Sequence, residues 1–593
     1  MQLSYLAAVL AVVAVTASAY AQDITLVKDG KSEYTIVLSK EASLSEKHAA
    51  GELQNFLRQI SGAELPIVTE GASLPKKMIV IGDGEARKAL GVHIGFDQLG
   101  DEGFAIRSAG PNIVIAGGRL RGTLYGVYTF LERLGCRWYT SKVSQIPKMR
   151  TIVLPQLDIA QKPAFEYREP FYTDAFDADW AVRNLVNSNS ARLDEKRGGK
   201  VEYGRFVHTF AELIPPSVYY KDHPEYFSLV DGKRQDGYAQ ICMSNPDVLR
   251  IATEKVMNWI EEKPTAKIFS VSQNDCYLNC QCDKCKAIDE EEGSPSGLLL
   301  RFVNAIAEEV EKKYPDKLID TLAYQWTEKP PRITKPRANV RVRLCPIFAC
   351  EFHDYTKCEQ NAGFVENLRN WAKITNNLYI WHYNTDFPHY LIPFPDLDQI
   401  ATSIRLYKRT GVKGIFMEGN YSPGGGGFMD ELKAYYIAKL LWNPWIDEKA
   451  VKEDFLNGYF GKAGKPIGEW LDMLHEKVRK ENIHGNIWIG VDGAHLSPEI
   501  MQAGERLFDE AERLADNQDV LERVKHARLS LEYVKVAREC SQIGAHGTPE
   551  QKSDTLKRLE SFVKECKADG ITNISEGASI DAWFESMAAP LRK

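Results

Sequence analysis

Apolar positions along the chain follow three successive patterns. From residue 22 to about 160, short apolar runs alternate with helical stripes. Ser43 and Glu46 have capping-box spacing, and Ala49, Leu53, Phe56, Leu57 and Ile60 form one helical face ending at Gly62. "MIVIG" (78–82) and "NIVIAGG" (112–118) read as short buried strands stopped by glycine, and Leu124, Val127, Tyr128 and Leu131 line a helix over 122–135. This predicts a small α/β sandwich domain over 22–160.

From 161 to 445 the spacing lengthens. Eight strand candidates occur, at 165–171, 205–210, 239–244, 267–272, 319–325, 340–346, 377–383 and 413–419. Helical stretches separate several of them, such as 297–314 with Leu299, Phe302, Val303, Ile306 and Val310 on one face. Eight strand-then-helix units in this length predict an α/β fold of the (β/α)8 TIM-barrel type. Beyond 446 strand signals fade, and Val524, Ala527, Leu531 and Val534 keep helical spacing, so 446–593 is expected to be a helical domain.

A barrel turns strand ends into geometry, because barrel chemistry collects at the C-terminal ends of the strands. There the sequence places Asn274 and Asp275, then Gln325 and Trp326, then His382, Tyr383 and Asp386, and finally Glu418 and Asn420. Separated carboxyls among amides, a histidine and aromatics suit glycoside hydrolysis: one acid protonates the leaving oxygen while a second group acts on the opposite face. Asp275 and Glu418 are the catalytic candidates, and Asn274, Gln325, Trp326, His382, Tyr383, Asp386 and Asn420 the substrate-binding ones. Side chains alternate along a strand, so only one of His382 and Tyr383 can face inward. Asn274 and Asp275 also suit a simple turn, and Trp326 and Trp381 could face the helix layer. The run Gly424–Gly427 lacks the GK[ST] ending of a phosphate loop and reads as a lid or linker.

Composition narrows the partners. A net charge of −7 and the lack of any basic block interleaved with aromatics argue against nucleic acid. The N-terminus carries the apolar core "LAAVLAVVAV" before Ala19-Tyr20-Ala21, with Ala17-Ser18-Ala19 as a rival cleavage site. Residues 1–21 are therefore expected to be a signal peptide, and the protein exported to a periplasm or the outside without membrane insertion after cleavage. No cysteine precedes Cys136, so a lipid anchor at the cleavage site is not expected.

Several long motifs resemble a known family. "HTF" (208–210), "HPEYFSLVDGKR" (223–234), "CMSNPDV" (242–248), "SQND" (272–275) with "CQCDKC", "EGSPSGLLLRFVNAIA" (292–307) and "LLWNP" (440–444) are similar to the bacterial domain-of-unknown-function family 4838. "GTLYGVYTFLERLGCRWY" (122–139) resembles the N-terminal domain of family 67 α-glucuronidases and, more distantly, of family 20 hexosaminidases. Some family 4838 members belong to glycoside hydrolase family 163, endo-β-N-acetylglucosaminidases that release complex N-glycans. The resemblance implies a glycan or glycoprotein substrate, with Asp275 as acid/base, Asn274 orienting the acid or a substrate acetamido group, and Glu418 as a second stabiliser. A family 67-like reading makes Asp275 the acid and Asp386 or Glu418 the base of an inverting α-glucuronidase. That family uses a glutamate acid at this strand end, so Asp275 departs from it. A non-catalytic glycan-binding protein is the remaining alternative.

Seven of the eleven cysteines fall between 276 and 358, with Cys280, Cys282 and Cys285 tightly spaced. No cofactor is required by the proposed chemistry. For the cluster three readings stay open: disulfides to partners outside it, as export favours; a structural zinc with a fourth Cys or His; or free thiols. In each, the cluster braces the loop that carries Asp275.

Overall fold

The structure is a computed structural model that describes residues 23–593; the expected signal peptide lies outside the described residues. The chain forms two compact units, 23–130 with 147–161, and 131–146 with 162–593.

The first unit is built on a six-stranded mixed sheet. Its order is Asp158–Gln161, Phe104–Ala109, Asn112–Gly117, Met78–Ile81, Thr35–Leu38 and Ile67–Thr69. Helix Leu44–Ser61 starts with the predicted capping box, Ser43 and Glu46 satisfying each other's backbone N–H groups. It ends at Gly62, whose φ of 83° favours glycine. The predicted stripe Ala49, Leu53, Phe56, Leu57 and Ile60 is buried.

The second unit holds one curled, all-parallel sheet. Its strands are β1 (Tyr167–Phe171), β2 (Tyr203–Arg205), β3 (Ile268–Ser270), β4 (Leu318–Ala323), β5 (Val340–Leu344), β6 (Leu378–Tyr383) and β7 (Gly414–Glu418). The order is β1-β7-β6-β5-β4-β3-β2, so the last strand returns to pair with the first. The two ends approach each other, Tyr167 on β1 and Tyr203 on β2 having ring centroids 5.7 Å apart.

Three points correct the eight-strand expectation, the first being that the strand expected at 205–210 lies at Tyr203–Arg205, with Phe210–Leu213 helical. Residues 239–244 form no strand: Ile241 makes one isolated bridge to Phe227, and the Gln240 amide bonds the backbone of Asn274 and Cys276 instead. No ladder joins β1 to β2 among the described residues. The gap is filled by the irregular segment 187–190. There the Arg168 N–H donates to Asn187 Oδ1, the Val201 N–H to Asn187 O, and the Tyr203 N–H to Asn189 Oδ1. The sheet is thus a seven-stranded horseshoe whose ends are tied by asparagines.

Inside the curl, aromatic rings surround a buried ion pair. Arg343 on β5 donates to Asp320 on β4 at 2.8 Å, and neither side chain is more than 1% exposed. The guanidinium also lies 4.4 Å from the Phe206 ring centroid and 5.4 Å from that of Trp381. Helices coat the outside. Ser296–Lys313 buries the predicted face of Leu299, Phe302, Val303, Ile306 and Val310. The chain beyond residue 446 is helical, in six helices from Glu448–Phe460 to Ile580–Leu591. No helix among the described residues is long and apolar enough to cross a membrane.

Candidate active site

A cleft of about 510 Å3 opens at the C-terminal ends of the strands. Alternation along β6 decides what enters it. Trp381 and Tyr383 face the cleft. His382 faces the helix layer, fully buried, with Nδ1 2.8 Å from Tyr407 Oη and Nε2 3.3 Å from Gln399 Oε1. Burial lowers its basicity to a pKa of about 3, so it stays neutral. The expectation that His382 binds substrate is therefore corrected.

The two catalytic candidates share the cleft in opposite environments. Glu418 ends β7 and is 7% exposed, and its Oε2 accepts a 2.6 Å hydrogen bond from Trp381 Nε1. Burial, reinforced by the charges of Glu576 and Asp275, pushes its pKa up to about 8. Asp275 is exposed at the rim. Its Oδ1 accepts from the Tyr324 hydroxyl at 2.9 Å and from Gln325 Nε2 at 3.4 Å, and its N–H donates to Tyr238 Oη.

Other predicted contacts hold the frame instead. Asn274 is fully buried; its amide donates to Ala239 O at 2.6 Å and accepts from the Ala211 N–H. Both halves of the side chain are spent on the backbone of distant segments, which it ties to the end of β3, a role different from the local turn weighed from sequence. Trp326 donates to Cys276 O and does not line the cleft. Asp386 is buried off the cleft, its carboxyl raised to about 8 by desolvation. Asn420 bonds Asp430 and the Ser422 N–H, shaping the glycine-rich loop.

That loop corrects the lid-or-linker reading. Gly424 and Gly426 have φ of 89° and 88°, and a Cβ on Gly424 would lie 1.9 Å from Gly570 O. The loop is a docking surface for residues 570–576, helped by Thr572 Oγ1 donating to Pro423 O. The docked segment brings a third carboxylate, Glu576, into the cleft, where it accepts from Tyr421 Oη at 3.0 Å. Gly424→Ala is expected to destabilise by about 1–3 kcal/mol and to loosen 570–580. Hydrogen exchange confined to that segment would report it; unchanged protection would refute the docking role.

Sequence reasoning also missed His208, Tyr324, Ile487 and Trp488, which line the cleft. His208 has a φ of 53°, uncommon for a non-glycine residue. Its Nδ1 meets Gln273 O at 2.8 Å. Among the cleft-lining residues none is Lys or Arg, while three are carboxylates.

No disulfide joins any of the cysteines in the structure, and Cys242, from the segment predicted as a strand, gathers with Cys280, Cys282 and Cys285.

Residues 138–472, more than half of the chain, match the family model "Domain of unknown function (DUF4838)". The chain belongs to this family. Residues 24–130 match the model "Glycosyl hydrolase family 67 N-terminus". No curated protein matches the chain. Among solved structures, a family GH115 4-O-methyl-α-glucuronidase with specificity for decorated arabinogalactans is similar. It has a TM-score of 0.58 and 12% identity, over 92% of this chain and 78% of that one. The Flavobacterium johnsoniae chitobiase of family GH20 also matches, at TM-score 0.47 and 11% identity over 96% of this chain and 98% of that one. The GH115 likeness establishes a fold shared with a glycoside hydrolase.

Proposed function

We propose that this protein is an exported glycoside hydrolase acting on N-glycans as an endo-β-N-acetylglucosaminidase. The observation that carries the reading is one aromatic cleft holding two carboxyls in unlike surroundings, a buried proton-retaining Glu418 and a rim-exposed Asp275 tied to Tyr324. Glycosidic cleavage needs one carboxyl that arrives protonated and one polar group that steadies the developing cation. Glu418 holds its proton at neutral pH and donates it to the leaving oxygen. This moves the acid role from Asp275, where the sequence-based reading placed it.

Asp275, steadied by the Tyr324 hydroxyl that donates to its Oδ1, accepts the substrate's acetamido N–H and so aims the acetamido oxygen at the anomeric carbon. Asn274 has no free polar group for this task. Trp381 and Trp488, aromatic residues of the lining that are not buried, supply ring surface for sugar C–H groups. The α-glucuronidase alternative fits less well, because a uronate carboxylate would enter a cleft that holds Asp275 and Glu576 beside the protonated Glu418 and no Lys or Arg.

The test is release of glycans from complex and high-mannose glycoproteins, read by mass spectrometry. Free glycans ending in a single GlcNAc, lost in Asp275→Asn, would support the reading. No release from any glycoprotein, with turnover of glucuronoxylan fragments, would overturn it; binding without turnover would make the protein a glycan-binding module. Because the acid must be protonated, kcat/KM is expected to fall about tenfold per pH unit above about 8, the value that burial gives Glu418. An alkaline limb unchanged in Glu418→Asp would assign it to another group.

A further inference from the structure

We propose that Cys350, His353, Cys358 and His484 bind a structural Zn2+ that clamps a wall of the cleft, and that Cys242, Cys280, Cys282 and Cys285 bind a second. Each quartet presents four ligand atoms within 4.8 Å of one another.

The first site is carried by its nitrogen geometry. Cys350 Sγ lies 3.4 Å from His353 Nδ1, and Cys358 Sγ 3.5 Å from His484 Nδ1. A tetrahedral zinc with Zn–S near 2.3 Å and Zn–N near 2.05 Å separates sulfur from nitrogen by about 3.5 Å. Both histidines turn the other nitrogen to an acceptor: His353 Nε2 lies 3.2 Å from Val478 O, and His484 Nε2 3.1 Å from a Glu359 carboxylate oxygen. A neutral ring that donates from Nε2 presents its Nδ1 lone pair to the cluster, the outer arrangement zinc-bound histidines adopt. A Cys350–Cys358 disulfide would leave both inward-facing nitrogens unexplained. Binding releases two thiol protons and gives a neutral Zn(S)2(N)2 centre, which suits a half-buried position.

The second site rests on different distances. Cys242 Sγ is 3.8 Å from Cys282 Sγ and 3.9 Å from Cys285 Sγ. The sulfur–sulfur edge of a tetrahedral zinc thiolate is about 3.8 Å, whereas a disulfide needs about 2.05 Å. Four thiolates leave an excess of negative charge, and Arg234 Nη1 stands 3.9 Å from Cys280 Sγ, with the Leu229 N–H 3.4 Å from the same atom.

Placement gives both sites a task. The first joins the loop after β5 to the segment after helix Gly464–Lys480. That segment continues through Gly485, whose carbonyl accepts from the Glu351 N–H, to the cleft residues Ile487 and Trp488. The second fixes the loop that begins at Asp275.

Metal content of the purified full-length protein, read by inductively coupled plasma mass spectrometry, tests both sites. Two zinc ions per chain are expected, with one lost in His484→Ala, one lost in Cys282→Ser and none left when both are changed. Should His484→Ala fail to fold, His484→Cys keeps a ligand at that position and should retain two. Cobalt substitution should give an S2N2 spectrum from the site that survives Cys282→Ser. A wild-type protein that holds no zinc and takes up neither Zn2+ nor Co2+ when reduced would overturn the proposal. So would zinc content unaffected by His484→Ala, or a Cys350–Cys358 disulfide in peptide maps, for the first site.

Discussion

Glu418→Gln is expected to lower kcat/KM by about 10²–10⁴-fold, the usual range for a lost acid–base group, while stabilising the folded protein in alkaline solution. The two effects share one cause. Burial raises the Glu418 pKa from its ordinary 4.5 to about 8. A group whose folded value is raised binds its proton more tightly in the native state. Its contribution to stability is therefore fullest below 4.5, declines as pH rises, and reaches its least favourable value once pH passes about 8. Glutamine keeps an acceptor for the Trp381 N–H and cannot ionise. Unfolding in denaturant should show no gain for the variant at pH 5 and a gain on the order of a few kcal/mol at pH 9. An inactive variant that is equally stable at both pH values would keep Glu418 in catalysis but remove the buried-acid explanation. A variant with full activity would end its assignment as the acid.

Arg343→Met is expected to cost about 3–5 kcal/mol, because it leaves the Asp320 carboxylate buried without its counter-charge. Pairing it with Asp320→Leu should restore much of the loss, since removing both charges also removes their desolvation cost. The measurement is the denaturant midpoint of the transition that exposes the buried tryptophans of the second unit, with the pair read as a double-mutant cycle. The single change should also impair activity, because the guanidinium packs on Phe206 and Trp381, and Trp381 holds Glu418. A single-variant loss below about 1 kcal/mol would show that water or neutralisation of Asp320 relieves the charge.

What the sequence disclosed follows from how each element is held. Strands rich in β-branched or aromatic residues with a ladder on both sides, such as Val340–Leu344 and Gly414–Glu418, were legible. Residues 239–244 have the same look but are held by the Gln240 side chain, and periodicity does not register such bonds. Segment 187–190 errs in the opposite sense, being polar, irregular and yet structurally in line with the strands. In the site, strand ends put Asp275 and Glu418 at the cleft, and alternation said that one of His382 and Tyr383 would face it without saying which. Glu576, Trp488, Cys242 and His484 could not, because they reach their partners through loops docked from distant parts of the chain. The glycine run at 424–427 was the one local sign of such docking, visible as a motif but not as a close approach.

The open seam sets a geometric condition on the chemistry. Glu418 sits on β7, one strand from one free end of the horseshoe, and Asp275 follows β3, one strand from the other. The two carboxyls therefore ride on opposite arms, and the span between the arms is set by Asn187 and Asn189 as well as by the ladders. In the proposed reaction Glu418 protonates the leaving oxygen while Asp275 holds the acetamido group, so the reach between those two tasks depends on a pair of amide side chains far from both carboxyls in sequence.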